Sequence, residues 1–414
     1  MSASEIDIDW VKDCLFNQFG SLIAPEPGHE ISAQVLVQAL HEVPKQQFRQ
    51  GLKLHGWHVV DFDSFYNQAL PALTFRNCEF KELRMESAVT EGGIGFQDCL
   101  FDLIEMSHAR IGGALQFVNP RSRLGGPLAI HLESAIVENL LHIEPPSKST
   151  LVINLRGATI GNFLLHQGEY LMDPDQEDDS QDEVLHLDVR APRSVINGDC
   201  QIYIQAPSVT GSFNFEDSII SSAFELSLKQ APSSLEASTA KVELMGRRAR
   251  VRGSFNVAIA RKIEGRIDLR DMVANDLNVV VVGGIESPAI ESGMIPGFAV
   301  GGASIEKDAL LTFGASVNAS LSFERVRIGG NLSIAPTPGP RRVCLRGGIN
   351  LEQMDLGGDF RLNPRGKTRV QLDKAIVLDD ARVRGNVNMK LVTFRSPVSM
   401  RGAAIARNVL LSRV

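Results

Sequence analysis

The stretch Ala381-Arg382-Val383-Arg384-Gly385-Asn386-Val387-Asn388-Met389 decides the fold. Its apolar or small residues fall on every second position, the mark of a strand with one buried face. The same phrase recurs along the chain: small residue, any, aliphatic, any, Gly or Asn, any, aliphatic or aromatic, any, apolar. Upstream it reads Ala109-x-Ile111-x-Gly113-x-Leu115-x-Phe117, then Ala135-x-Val137-x-Asn139-x-Leu141-x-Ile143, then Ala158-x-Ile160-x-Asn162-x-Leu164. Further copies begin around Val209, Ala249, Val273, Ala303, Ile328, Leu356 and Ala403. Adjacent copies start 22 to 32 residues apart, and two gaps, of 49 and 42, each fit two turns.

The middle position is Gly or Asn in nine of the eleven copies, with Lys307 and Arg407 the exceptions. Both residue types tolerate a left-handed backbone, so the pattern predicts a sharp left-handed corner between two short strands. A strand–corner–strand unit of this length is one coil of a parallel β-solenoid, with coils about 4.8 Å apart and a continuous interior core. A doubly wound α/β fold is excluded, because no helical periods of 10–15 residues lie between the strands. The Gly-Gly pairs are not phosphate loops, since neither a helix start nor Lys-Ser/Thr follows them.

A looser form of the pattern precedes these copies. In Leu73-Thr-Phe75-Arg-Asn-Cys78-Glu-Phe80-Lys-Glu-Leu83-Arg-Met85 and Cys99-Leu-Phe101-Asp-Leu103, a small residue stands two before a large apolar one, every five residues or so. Over residues 73–117 this resembles the pentapeptide-repeat proteins. The resemblance implies a right-handed quadrilateral β-helix that binds or mimics rather than catalyses, and it carries over no catalytic residues. The expected fold is therefore all-β, a single right-handed parallel β-helix over 71–414.

Residues 1–70 read as an α-helical cap. Helical spacing runs from Glu5 to Phe19 and from Ile31 to Leu40, and Pro44 stops the second helix. Such helices would cover the hydrophobic cross-section of a solenoid end. Insertions are expected near 170–185, where Asp173 to Glu183 is acidic, and near 284–302, where Gly and Pro cluster. At the other end, the phrase from Ala403 to Val414 has no cap residues after it. An open β-edge over an apolar core invites pairing. The expected cover is a second copy, a partner protein or a further segment.

Charge sharpens that expectation. The net charge is −7, yet residues 321–414 hold 17 Lys+Arg against 7 Asp+Glu, and the first 320 residues hold 25 against 42. Equal positions in the phrase place Arg110, Arg250, Arg327 and Arg382 in one outward column, with Arg252 and Arg384 two residues on. With Arg325, Arg341, Arg342 and Arg407 they are the candidate binding residues, a basic wall on the late coils that Arg346, Arg365, Lys367 and Arg369 extend. The counterparts this wall suits are a protein partner, a second copy, an anionic membrane surface or a phosphate-bearing partner.

A second column, Ser212, Ser254, Asp276, Asp308, Asn331, Asp359, Asn386 and Asn408, could grip sugar hydroxyls, so a polysaccharide lyase or hydrolase is the alternative reading. A third is an acidic nucleic-acid mimic using the first 320 residues. No catalytic residue, cofactor site, metal site or small-molecule substrate is expected. The five Cys are scattered without a CxxC pair, and the acidic N-terminus has no apolar signal region, which together point to a cytoplasmic, reduced protein. The leading expectation is a non-enzymatic interaction scaffold.

Overall fold

The computed structural model describes residues 30–42, 52–59, 65–167, 184–206, 208–230, 239–286, 297–337, 342–362 and 368–411. The expected helix Glu5–Phe19, the acidic insertion from Asp173 to Glu183, and Arg341, Arg365 and Lys367 lie outside these residues. The chain is a parallel β-solenoid of about 13 turns. Strands make up 57% of it and helix 3%, so the all-β expectation holds. The described residues fall into two compact units, 30–167 with 185–198, and 199–411.

Each coil closes through one β-turn just before the small residue of the phrase. The Ala109 N–H donates to the Met106 carbonyl (3.1 Å), Ala135 to Leu132 (3.2 Å) and Ala381 to Leu378 (3.1 Å). The third residue of each turn has positive φ: His108 at 60°, Ser134 at 56°, Arg248 at 54°, Arg325 at 57° and Asp380 at 56°. That φ is what a type II turn requires. This corrects the expected corner. None of the nine mid-phrase Gly and Asn residues has positive φ among the described residues. The glycines are there because coils approach closely: a Cβ on Gly113 would sit 2.4 Å from the Gly93 nitrogen, and one on Gly358 2.7 Å from the Gly330 carbonyl oxygen.

In the first unit, Leu52–His55, Leu73–Arg76, Ile94–Gln97 and Leu115–Val118 stack in parallel, with Leu54, Phe75, Phe96 and Phe117 in one register. The Phe rings stack face to face, 5.2 Å from Phe75 to Phe96 and 5.1 Å from Phe96 to Phe117. Phe80 and Phe101 form a second stack at 5.3 Å, edge-on to the first. Each buried Phe removes enough apolar surface to contribute about 2–3 kcal/mol. These coils have a second left-handed corner at Asn77, Asp98 and Asn119, with φ of 48°, 53° and 52°.

The stack reaches into the segment assigned to the cap. Leu52–His55 pairs with Leu73–Arg76, and Glu30–Ile31 pairs with His58–Val59, so strands begin well before residue 71. Two- and four-residue strands are too short to show a period. The second expected helix is present as Ala33–Glu42, with Leu36, Ala39 and Leu40 buried on one face. Its N-cap is Ser32, whose Oγ accepts the Gln34 N–H (3.2 Å).

In the second unit, Cys200–Ala206, Phe224–Gln230, Arg250–Ile259, Val273–Val281, Ala309–Phe313, Leu332–Pro336, Phe360–Leu362, Val387–Met389 and Val409–Leu411 stack in that order. The described flanks of the expected 284–302 loop are themselves strands: Ile285–Glu286 and Phe298–Ala299 both pair with Lys262–Asp268. The late coils add a third side made of Arg342–Leu345, Arg369–Leu372 and Val392–Phe394.

Candidate interaction edge

The strand register decides which side chains share a column. Arg250 lies between Ile219 and Val273, and the column continues through Ser304 before it reaches Arg327. Beyond Arg327 come Asp355, Arg382 and Ala404. The expected basic column is thus broken by Asp355 and separated from Arg250 by two uncharged positions. Coil lengths vary, but that is not the cause; the column holds whatever each coil brings to it, and the sequence phrase places no constraint on an outward side chain.

The other candidates scatter. Arg252 is exposed next to Arg250, and Arg325 is a turn residue 3.2 Å from Glu324. Arg342 belongs to the third side and faces Arg369 in register. Arg384 stacks over Gly357, its N–H on the Leu356 carbonyl (2.9 Å). Arg407 is exposed on the last coil. Several other cations are taken up internally. The buried Asp268 carboxylate accepts from Arg247 (2.6 Å) and Arg270 (2.8 Å). Burial pushes its pKa up, but the two guanidiniums prevail and hold it at about 2.

The Asp/Asn column is real from Ser254 onward, and its polar atoms are engaged with one another. Ser212 is not in it, for Ser212 pairs with Glu243 on a different side. The Asn331 N–H donates to Asp308 Oδ1 (2.6 Å), and Asn331 Nδ2 reaches the same oxygen (3.0 Å). Asp359 N–H donates to Asn331 Oδ1 (2.9 Å). Asn386 donates to Asp359 Oδ1 through both N–H (2.7 Å) and Nδ2 (3.1 Å). Asn408 does the same to Asn386 Oδ1, at 3.2 and 3.3 Å. The backbone donors from Asn386, with Arg361 beside the carboxylate, hold Asp359 below the usual carboxylate range. A carboxylate kept ionised in this way suits a fixed acceptor better than a proton donor.

What sequence reasoning missed is that the basic excess has no acidic counterpart at all in the final coil. Residues 392–411 carry Arg395, Arg401 and Arg407 and no acidic residue. Asp379 of the coil beneath accepts the Ser399 hydroxyl (2.5 Å) and the Arg401 N–H (2.9 Å), which hold its pKa low. The strand Val409–Leu411 pairs with Val387–Met389 on one edge only among the described residues. Val409, Leu410 and Leu411 are 41%, 39% and 51% exposed, where their counterparts Val387 and Met389 are fully buried. The signal was available: a count of acids coil by coil, rather than over the last third, isolates 392–411. Among the described residues no group of three or more His, Cys, Asp or Glu could hold a metal ion, and no helix is long and apolar enough to cross a membrane. No family model, curated protein or solved structure matches the chain.

Proposed function

We propose that the protein is a non-enzymatic interaction scaffold whose basic coil 392–411 binds an acidic, extended segment of a partner protein. The observation that carries this reading is the charge of that coil, which holds Arg395, Arg401 and Arg407, all exposed, and no acid. An extended segment offers its main chain whatever its sequence, and side-chain chemistry selects among such segments. Charge selects acid over base here, and it disfavours a second copy presenting the same basic coil. The resemblance of residues 73–117 to pentapeptide repeats supports the same reading, since such proteins generally bind rather than catalyse.

The test uses a labelled nine-residue peptide written in the phrase of the coil, Ala-Glu-Val-Glu-Gly-Asn-Val-Glu-Val, and its counterpart with Lys in place of Glu. Fluorescence anisotropy should show the acidic peptide binding the intact protein and the basic one binding at least tenfold more weakly. The double variant Arg401→Glu, Arg407→Glu should reverse the order. Equal binding of the two peptides, or a concentration-dependent dimer in sedimentation velocity that the double variant abolishes, would replace this reading with simple stickiness or with self-association.

A further inference from the structure

We infer that Cys344 is a modification site, a thiol that takes a small acidic peptide thiol in a mixed disulfide. Of the four cysteines among the described residues, Cys78, Cys99 and Cys200 are fully buried. The Cys78 and Cys99 thiols donate to the Arg76 and Gln97 carbonyls, at 3.2 and 3.3 Å. Cys344 differs on both counts. Its neighbours Val343 and Leu345 face the core, so strand alternation turns Cys344 outward, where it is half-buried. Its thiol meets no partner among the described residues.

The face around this thiol is basic. Arg342 and Arg346 stand two residues before and after it, and Arg369 is in register with Arg342 on the neighbouring strand. All three arginines are exposed, and none has an ion pair among the described residues. Same-face neighbours on a strand are about 6.6 Å apart and adjacent strands about 4.8 Å, so the three guanidiniums surround whatever is attached to Cys344. The nearest acid in register, Asp373, is already engaged: it accepts from Gln371 Nε2 and lies 3.6 Å from Arg395. Unneutralised guanidiniums in such an array suit carboxylates, which they hold with paired N–H donors.

A buried acceptor asks for more than negative charge. Gln371 is the register neighbour of Cys344 and is only 4% exposed. With Nε2 spent on Asp373, its Oε1 is buried and has no donor among the described residues. Buried polar atoms are rarely left so, and an amide N–H on an adduct at Cys344 supplies the donor. Carboxylates for the arginines and an N–H for Gln371 are together what an acidic peptide thiol brings.

The step is thiol–disulfide exchange. The Cys344 thiolate attacks one sulfur of the peptide disulfide; a new S–S bond forms as the old one breaks. The second peptide leaves as its thiolate, taking the electron pair of the broken bond, and the Cys344 proton passes to solvent. Cys344 is oxidised, and the departing half of the disulfide is reduced.

The experiment uses the intact protein carrying Cys14→Ser, since Cys14 lies outside the described residues. Three disulfides are compared: oxidised glutathione (an acidic peptide), dithiodipropionate (an acid without N–H) and cystamine (a dication). Each rate is taken relative to that with a neutral free thiol. Mass mapping should find a single adduct, on Cys344, formed about tenfold or more faster by the two acids than by cystamine at low salt. The preference should shrink in about 1 M salt and vanish in the Arg342→Gln, Arg369→Gln variant. Gln371→Leu should lower the equilibrium yield of the glutathione adduct about fivefold, the worth of one hydrogen bond, and leave that of dithiodipropionate unchanged. Cystamine reacting as fast as the acids, or no adduct on Cys344 in the folded protein, would overturn the site. Equal yields of the two acidic adducts on the parent protein would overturn the peptide assignment, whether or not Gln371→Leu folds.

Discussion

The coils around Phe96 and the coils around Asp359 solve the same problem with different chemistry. Around Phe96, two left-handed corners per coil turn the chain, and stacked rings fill the interior. Around Asp359, the described left-handed residues are the turn positions Gln353 and Asp380 and, one coil on, Leu391, and amide and carboxylate side chains bond one coil to the next. The first arrangement puts its stabilisation in apolar burial, which is insensitive to pH and needs no precise partner atom. The second puts it in directional bonds near the surface, each of which asks for a specific atom in the neighbouring coil. Aromatic coils are closed by their own content, whereas ladder coils leave a usable acceptor wherever the series is interrupted.

The comparison can be broken most severely at the rings. Phe96→Ala removes the middle of the stack between Phe75 and Phe117 and should cost about 3–5 kcal/mol, read as a fall in the thermal unfolding temperature and loss of amide protection over 73–117. No single change in the ladder should match it.

The corners separate the two regions next. Gly357→Ala puts a Cβ 2.0 Å from the Gly329 carbonyl oxygen, a backbone atom that cannot swing aside, and should cost about 2 kcal/mol or more in denaturant unfolding. Asn77→Gly, at a left-handed corner with φ 48°, should stay within about 0.5–1 kcal/mol, because relief of the strained φ offsets the lost contact with His55. Equal effects at both sites would mean that a close backbone approach and a positive φ constrain the chain alike.

The smallest expected effect is pH-dependent. Asp359 and Asp379 have folded-state pKa values below their ordinary one, so their contribution to stability is full above about pH 4 and is lost as pH falls through the lowered values. Hydrogen exchange on acidification should therefore loosen the coils carrying Asp359 and Asp379 while amides beside the Phe stack keep their protection. Loosening in the reverse order would contradict the assignment.

The coil and its repeat were legible because inward residues obey a strict alternation that core packing enforces. Phe80 and Phe101 each stand two residues after a Cys, and Val383 and Ile405 each two after an Ala. The left-handed turns were not legible. Their third position holds His108, Arg248, Gln353 and Asp380 in turn, since the turn geometry and its closing hydrogen bond impose the φ whatever the residue. The mid-phrase glycines stand out in the sequence but their cause does not, because a glycine required by positive φ and one required by a neighbouring backbone look the same in one chain. Outward residues were the least legible. Arg327 and Arg382 do share a column, but nothing in the phrase tells that Asp355 stands between them. The Asp/Asn column is legible from Ser254 onward, Ser212 being on another side, but the bonds between its members are not.

The ladder also sets the range of cooperativity. Every bond in it joins residues 22 to 28 positions apart, so each couples one coil to its immediate neighbour and to nothing further. Stability along these coils is then a sum of nearest-neighbour contributions, and order can spread from whichever coil forms first.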